Sequence, residues 1–392
     1  MPPLPDLRLT GALTLVGETL EDAPLTLAEG RVADGPAQEV DLSGYWLLPG
    51  IIDLHGDGFE RHLRPRPSAP FPKPAALASA DAELAVNGIT TAYFAQSWSW
   101  EGGARGAEEA EELIAAVAAA RGQLMADIRV QIRFETHMLE DHARLLAAVR
   151  RHGVDYLVFN DHLPEALMLA ERRPDRFAVW AGSNGHSSES LLATVRAATA
   201  HGPRVPEALS RLAAVLAAEG IALGSHDDGT AEARAFYRGI GARICEFPTS
   251  RAAAASARAA GEPVLMGAPN VVRGGSQAGN IAAMELIEDG LCDALVSDYY
   301  YPALAQAVWA ATDQRAAGFG AAWGLVSTRA AAVLGMTDRG LLAPGLRADL
   351  VVMNPSTRRV EGTLAQGRPT HLSGALAGRF IAAGLDRMLA AQ

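Results

Sequence analysis

A histidine and an aspartate two residues apart stand where an apolar run near the start of the chain ends, in Pro49-Gly50-Ile51-Ile52-Asp53-Leu54-His55-Gly56-Asp57. In a strand, residues i and i+2 point to the same side, so the imidazole of His55 and the carboxylate of Asp57 would face one site. One nitrogen and one oxygen ligand on a rigid edge can begin a divalent-metal site. A core histidine beside a solvent-facing aspartate explains the pair equally well, and the rest of the chain must decide.

Side chains that commonly bind metal ions, here called metal-type residues, also follow four later apolar runs. They are Glu135 and His137 after the third run, Asp161 and His162 after the fourth, His226, Asp227 and Asp228 after the fifth, and Asp298 after the eighth. Buried charges cost several kcal/mol each unless they are paired or bound to metal. Five converging groups of nitrogen and oxygen ligands therefore favour a metal site over packing.

The residue types limit the choice of metal. No cysteine is among the candidates, and mixed imidazole and carboxylate ligands suit Zn, with Mn and Fe as alternatives. The predicted ligands are His55, Asp57, Glu135, His162, His226 and Asp298. Six ligands are too many for one tetrahedral ion with an open position, so we predict two divalent ions that share a bridging carboxylate.

Two segments contain residues that could bind an anion. His62-Leu63-Arg64-Pro65-Arg66-Pro67 follows the first run, and its prolines hold the chain extended. The segment from Asn270 to Asn280 follows the seventh run and is expected to feed a helix, with backbone N–H groups and a guanidinium available to phosphate. The predicted phosphate ligands are His62, Arg64, Arg66, Asn270, Arg273, Gly274, Gly275 and Ser276. Tight turns with solvent-facing arginines are the alternative.

The elements that must position these residues alternate along residues 49–339. Eight apolar runs are predicted as buried parallel strands: Ile51–His55, Thr90–Ala95, Ile128–Phe134, Tyr156–Asn160, Ala222–Ser225, Ile244–Phe247, Val264–Met266 and Ala294–Ser297. Helical stretches at 107–121, 139–152, 206–219, 230–239 and 277–290 separate them. The pattern predicts an α/β fold, a (β/α)8 TIM-like barrel, whose strand ends gather on one face. A doubly wound sheet is the alternative, but no G-x-G-x-x-G follows an early strand.

Short strands at both ends of the chain predict a small β-sandwich built from residues 1–48 and 340–370. Residues 371–392 are predicted as a terminal helix. The segment 163–205 is read as a long connection with a helix near 189–200, and whether His186 lines the pocket is left open.

Composition excludes several classes of protein. The 392-residue chain carries 34 Lys and Arg against 45 Asp and Glu, a net charge of −11, which disfavours nucleic-acid binding. Two scattered cysteines fit a reducing compartment, and no run reaches membrane-spanning length. We therefore expect a cytoplasmic protein with no membrane partner, and a homo-oligomer is left open.

With these residues in view, the chain resembles the amidohydrolase superfamily, and within it the branch of diphosphatases that act in phosphonate catabolism. The matching stretches are Leu48–His55, His55-x-Asp57, Arg64–Pro67, Gly88–Thr91, Ser225–Asp228, Glu246–Thr249, Met266–Asn280, Ser297–Tyr300 and Gly345–Val352. Most superfamily members carry His-x-His on the first strand and a carboxylated lysine as bridge, whereas this chain has Asp57. Gly56 also replaces the threonine that is usual in this branch.

The resemblance implies that Glu135 bridges the two ions and that His162 and His226 hold the second. It implies release of diphosphate from α-D-ribose 1-methylphosphonate 5-triphosphate, a phosphorylated ribose substrate, with Asp298 as the general base for the attacking water. One alternative is an amidohydrolase that cleaves a C–N bond, such as a deaminase, a cyclic amidase or an N-acyl hydrolase. The other is a non-catalytic, metal-stabilised subunit.

Overall fold

A computed structural model describes residues 6–66 and 69–390 of the chain. Its strands fall into three groups along the chain, seven before the barrel, eight in it and three after it. They are β1 Leu7–Thr10, β2 Leu13–Val16, β3 Thr19–Glu21, β4 Leu25–Ala28, β5 Arg31–Ala33, β6 Gln38–Asp41 and β7 Trp46–Pro49; β8 Ile51–Gly56, β9 Ile89–Trp98, β10 Asp127–Glu135, β11 Tyr156–Asn160, β12 Ala222–His226, β13 Ile244–Glu246, β14 Val264–Gly267 and β15 Ala294–Val296; and β16 Leu350–Asn354, β17 Arg359–Ala365 and β18 Arg368–Leu372.

Helices connect the barrel strands and pack around them. They are α1 Glu60–Leu63, α2 Lys73–Val86, α3 Ala107–Ala120, α4 His142–His152, α5 Leu163–Arg172, α6 Pro174–Ser183, α7 Ser188–Thr199, α8 Val205–Ala218, α9 Ala231–Gly239, α10 Arg251–Ala259, α11 Ala268–Arg273, α12 Ala283–Glu288, α13 Ala303–Asp313, α14 Phe319–Gly324, α15 Thr328–Val333 and α16 Gly374–Ala390. Single 3-10 turns lie at Gly103–Arg105, Leu139–Asp141 and Gly202–Arg204.

The predicted (β/α)8 barrel is confirmed. Strands β8 to β15 form one eight-stranded sheet in chain order, and each neighbouring pair is parallel. A parallel bridge between Gly56 and Asp298 links the last strand end to the first. Below it, the backbone N–H groups of Ile52 and Leu295 donate to the carbonyls of residues 326 and 325, which fill the remaining gap. The C-terminal ends of the strands therefore meet on one face, as this fold requires of an active site.

Two further sheets are built from the chain ends. One has the order β5-β4-β1-β6, and the other, β18-β17-β16-β7-β2-β3, joins the two ends where β16 pairs antiparallel with β7. Buried aliphatic side chains of both sheets, among them Leu9, Val40, Leu47 and Val352, form one core. The exact limits 1–48 with 340–370, and 49–339, remain predictions. The terminal helix is α16, while residues 391–392 lie outside the described part.

Two local expectations differ from the structure. The segment 163–205 forms three helices, α5 to α7, rather than one, and they share a small apolar core that includes Phe177, Leu191 and Val195. The helix expected at 277–290 is wrong in its first half, because α12 begins at Ala283. Gly274, Gly275 and Gly279 have φ of 75°, 152° and 76°, which the right-handed helix excludes.

Within residues 6–66 and 69–390, no helix is both long and apolar enough to cross a membrane. Both cysteines, Cys245 and Cys292, are buried free thiols.

Candidate metal and phosphate site

Backbone hydrogen bonds hold the ends of the first and eighth barrel strands together. The N–H of Asp298 donates to the carbonyl of His55 (3.0 Å), and the N–H of Asp57 donates to the carbonyl of Asp298 (2.7 Å). Two residues before His55 on the first barrel strand, the buried carboxylate of Asp53 accepts hydrogen bonds from the N–H (2.9 Å) and the hydroxyl (2.5 Å) of Ser297. The structure thus brings three predicted metal-site residues, His55, Asp57 and Asp298, onto one rigid unit.

His55 is oriented by a buried carboxylate on the sixth barrel strand. Its Nδ1 lies 2.9 Å from Oε2 of Glu246, while Oε1 of Glu246 accepts from the amide of Gln131 and the hydroxyl of Tyr156. Burial alone would lower the pKa of His55, but the Glu246 carboxylate outweighs it and raises that pKa. A carboxylate that binds one ring nitrogen fixes the histidine tautomer and leaves the other nitrogen, Nε2, available as a ligand.

Sequence reasoning did not select Glu246, although it ends a barrel strand just as the predicted ligands do. One donor atom each of His55, His226 and Glu246 lie within 4.8 Å of one another, a spacing compatible with a metal ion. Both oxygens of Glu246 are already engaged by protein donors, so its geometry favours orienting His55 over binding metal.

His226 lies beside His55, with ring centroids 5.3 Å apart, and Phe247 packs against both rings. Burial lowers the pKa of His226, the direction that favours the neutral imidazole a metal ligand needs. Its buried Nδ1 makes no hydrogen bond to a described residue, although Oδ2 of Asp227 lies 3.1 Å away. A buried imidazole nitrogen without a hydrogen bond is what a metal ligand would show in the absence of its ion.

Glu135 and His162 form the other half of the site. Oε1 of Glu135 lies 2.7 Å from Nδ1 of His162, and Oε2 accepts from the His162 N–H and from the indole of Trp100, both at 3.1 Å. Burial opposes ionisation of Glu135, but the hydrogen bond and charge of His162 prevail and lower its pKa. Glu135 is therefore ionised and fixed from two sides, as a bridging ligand would have to be.

Three residues at the ends of barrel strands have a left-handed backbone: Asp227 (φ 62°) and Phe247 (φ 48°) directly follow their strands, and Asp298 (φ 55°) lies two residues after the last one. Residues without glycine's freedom rarely adopt this region, and such strain concentrates at functional sites.

Burial and the neighbouring Asp57 raise the pKa of Asp298 to about 6. A carboxylate with that pKa is a suitable general base near neutral pH.

One cavity of about 630 Å³ is lined by part of each of the two predicted sets, the metal ligands and the phosphate ligands. Its wall includes His162, His226 and Asp298 from the metal-type set, and Arg273 and Ser276 from the glycine-rich loop. Gly275 and Asn270 also line it, but the Asn270 side chain is used by the protein, since it accepts from the N–H of Ala283 at 2.9 Å. The loop begins where α11 ends, with Gly274 as its C-cap, and it leads into α12 only at Ala283. The cationic group of this segment that lines the cavity is the guanidinium of Arg273.

The described side chains of the Arg-Pro segment, residues 62–66, lie outside the cavity. His62 pairs with Glu83 (2.6 Å) and Arg64 with Glu109 (2.8 Å), and neither lines the cavity. Arg66 is exposed, and Pro67 lies outside the described residues. The phosphate role predicted for His62, Arg64 and Arg66 thus gains no support, because carboxylates already neutralise the first two.

The three helices of 163–205 form a wall beside His162. The indole of Trp180 on α6 meets the His162 ring edge-on at 6.4 Å and donates to the buried carboxylate of Glu101. His186 does not line the cavity; its Nε2 lies 3.0 Å from the carbonyl of Glu101. The segment is therefore anchored to the loop after the second strand, which also carries Trp100.

The comparisons with known proteins fit this site. No family model matches the chain. The chain is 36% identical, over 80% of its length and 85% of the relative, to the alpha-D-ribose 1-methylphosphonate 5-triphosphate diphosphatase of Escherichia coli K12. It belongs to the family of this diphosphatase, within the amidohydrolase superfamily.

Solved structures of distant members share the fold. The beta-aspartyl dipeptidase of Fervidobacterium islandicum AW-1 superposes with a TM-score of 0.62 at 14% identity, over 95% of this chain and 98% of that one. A zinc-bound adenosine deaminase from Xanthomonas campestris has a TM-score of 0.54 at 13% identity, over 97% and 98%. At such identities they show the barrel with its accessory sheets, not the reaction.

Replacing Glu246 with Gln is expected to weaken metal binding about 10- to 100-fold, the usual cost of removing a partner that orients a metal-binding histidine. The amide has nearly the same shape but loses the charge that holds the His55 N–H. Titration of the metal-free variant against a competing chelator measures the effect. Tyr156→Phe, which removes one of the two donors to Oε1, is the matched control and should show a smaller loss. An unchanged affinity in Glu246→Gln would contradict this role.

The rate of hydrolysis is expected to rise with pH through an acid limb at or below about pH 6. The proposed base, Asp298, must be unprotonated to accept a proton. Burial and the neighbouring Asp57 raise the pKa of Asp298 to about 6, and bound cations would lower that pKa. A pH profile of kcat/KM measures this limb. A profile that falls with rising pH over the same range would show that a protonated group is required instead.

Proposed function

We propose that the protein is a metal-dependent hydrolase that releases diphosphate from α-D-ribose 1-methylphosphonate 5-triphosphate or a near analogue. The observation that carries this proposal is the shared cavity: the guanidinium of Arg273 and the loop around Ser276 line the same wall as His162, His226 and Asp298. A basic, hydroxyl-bearing loop after the seventh barrel strand is where barrels commonly hold phosphate. The relative from Escherichia coli, which carries this activity in its name, supports the same substrate class.

The residues present suit two divalent ions. His55, Asp57, Glu135, His162 and His226 would hold them, with Glu135 between the two, and zinc is our first choice because the donors are imidazole and carboxylate. When bound, such ions would neutralise phosphoryl charge and lower the pKa of water from 15.7 toward about 7.

The chain's own residues then have distinct tasks. Asp298 takes the proton of the water that attacks phosphorus, a bond forms between the water oxygen and phosphorus, and the bond from phosphorus to the leaving diphosphate breaks. Arg273 and Ser276 bind the departing diphosphate oxygens. The products are ribose 1-methylphosphonate 5-phosphate and diphosphate. The two tryptophans, Trp100 and Trp180, keep the Glu135–His162 side of the site in place.

Product analysis on metal-reconstituted protein tests the proposal. The ribose triphosphate and a panel of C–N substrates (a cyclic amide, an N-acyl amino acid and adenosine) are incubated with the protein, and products are identified by phosphorus NMR and mass spectrometry. Diphosphate from the triphosphate, with the panel untouched, is the expected result. Cleavage of a panel member without diphosphate release would replace the proposal with the C–N reaction. No turnover by fully metallated protein would point to the non-catalytic subunit.

A further inference from the structure

Arg133 is a buried arginine in the candidate site whose guanidinium makes no hydrogen bond to any residue that the structure describes. Its side chain is 9% exposed, and it lines the cavity. The nearest carboxylate oxygen, Oδ2 of Asp57, is 3.9 Å from Nη1, beyond hydrogen-bond distance. The buried Nε makes no hydrogen bond to any residue that the structure describes. A guanidinium in this state is costly unless something else satisfies it.

The strand that carries Arg133 explains where its side chain lies. On β10, Gln131, Arg133 and Glu135 alternate with apolar residues and so share one face. Gln131 reaches Glu246 below the site, and Glu135 reaches His162 at the top. Arg133 lies between them on the strand, with its Nη1 3.9 Å from Oδ2 of Asp57 and its side chain on the cavity wall.

A second buried arginine shows what a structural role looks like in this protein. Arg234 is fully buried, and its guanidinium donates to the hydroxyl of Ser225 (2.6 Å) and to Asp228 (3.1 Å), with Glu262 at 3.1 Å. Its cost of burial is offset by charged partners on neighbouring elements. Arg133 has no comparable set of partners among the described residues, so packing alone does not account for it.

The planar fork of an arginine matches the oxygens of a phosphoryl group and can donate two parallel hydrogen bonds to them. We propose that Arg133 binds the phosphoryl chain beside the metal-type residues, donating to non-bridging oxygens of the group under attack and of the adjoining diphosphate, while Arg273 binds the far end of the diphosphate. This inference rests on the proposed function for the identity of the anion. In this role Arg133 stabilises the negative charge that develops on the oxygens of the reacting phosphoryl group. A hydrogen-bond donor that is fixed in a water-poor site stabilises such charge well.

The test compares Arg133→Met and Arg133→Lys with wild type, each reconstituted with zinc. Three quantities are measured: bound zinc, the affinity for inorganic diphosphate by calorimetry, and kcat and KM for diphosphate release. We expect Arg133→Met to bind diphosphate at least about 10-fold more weakly and to lose about 10²- to 10³-fold in kcat/KM, with zinc content unchanged. Arg133→Lys should fall between, because it keeps the charge but loses the fork. Arg150→Met, which removes an exposed arginine paired with Glu219, is the control and should match wild type.

Wild-type diphosphate affinity and kcat/KM in Arg133→Met would overturn the inference. Loss of zinc in both variants, with diphosphate affinity restored by saturating zinc, would also overturn it, because Arg133 would then be structural. The outcome is separable from the proposed function. If wild type fails to cleave the triphosphate yet binds inorganic diphosphate in an Arg133-dependent way, the proposed function fails and the inference stands. If wild type cleaves it and Arg133→Met does too, the inference alone fails.

Discussion

Replacing Asp298 with Asn should lower kcat for diphosphate release by about 10³-fold while the metal content stays at the wild-type level. General bases typically contribute 10²- to 10⁴-fold, and the amide cannot accept the proton of the attacking water. The backbone at this position is held by the carbonyl of His55 and the N–H of Asp57, and asparagine tolerates the left-handed φ of 55°. The variant should therefore fold and bind metal normally, so that the loss reports on chemistry.

Asp227→Asn is the matched control for this prediction. Asp227 also follows a barrel strand with a left-handed backbone and also lines the cavity, but the adjacent His226 overcomes the effect of burial and lowers the pKa of Asp227 to about 2. So weak a base is poorly matched to neutral pH, and we expect a much smaller loss of kcat. A near-normal rate in Asp298→Asn, or an equal loss in both variants, would show that Asp298 is not the base.

Replacing Gly56 with Thr, the residue usual in this branch of the superfamily, is expected to destabilise the protein by about 3 kcal/mol or more, or to prevent folding. A Cβ atom at Gly56 would lie 2.7 Å from both Oδ2 of Asp53 and Oγ of Ser297, and 2.9 Å from Cε1 of Tyr301. All three of these residues are fully buried and cannot move aside cheaply. The glycine is therefore matched to the Tyr301 ring and to the Asp53–Ser297 pair that joins the first and eighth strands.

Denaturant unfolding of Gly56→Ala and Gly56→Thr against wild type measures this effect. Gly182→Ala serves as the control, because Gly182 lies inside α6 with nothing within 4 Å of its added methyl group, so that the change should be neutral or slightly stabilising. Wild-type stability in Gly56→Thr would mean that the Tyr301 ring does not occupy this space in solution.

The barrel could be predicted from the sequence because its eight strands are continuous apolar runs, which buried parallel strands require. The conformation of the glycine-rich loop was harder to predict. The helical residues up to Arg273 are followed directly by glycines with positive φ, and the apolar pattern of the sequence does not show where the helix ends. The irregular register between Asp53 and Gly56 likewise depends on the neighbouring strand.

The rule that active-site residues follow barrel strands selected the metal-type set, whose role stays a prediction, whereas contacts between residues distant along the chain could not be predicted from the sequence. The partners of His62 and Arg64, Glu83 and Glu109, are far along the chain, so the sequence could not show that these two side chains already contact carboxylates. Glu246 ends the sixth strand and met the same rule, and this is the signal that would have found it.

Hydrolysis in ¹⁸O-labelled water, followed by phosphorus NMR of the products, tests the central claim most directly. Water attack on the phosphorus nearest the ribose, with Asp298 as base, predicts one ¹⁸O atom in the 5-phosphate of ribose 1-methylphosphonate 5-phosphate and none in diphosphate. The phosphonate group should remain unlabelled, and the label should appear about 10³-fold more slowly in Asp298→Asn. Turnover that leaves every phosphorus centre unlabelled and places ¹⁸O on carbon would contradict the account and assign this site to a reaction at carbon.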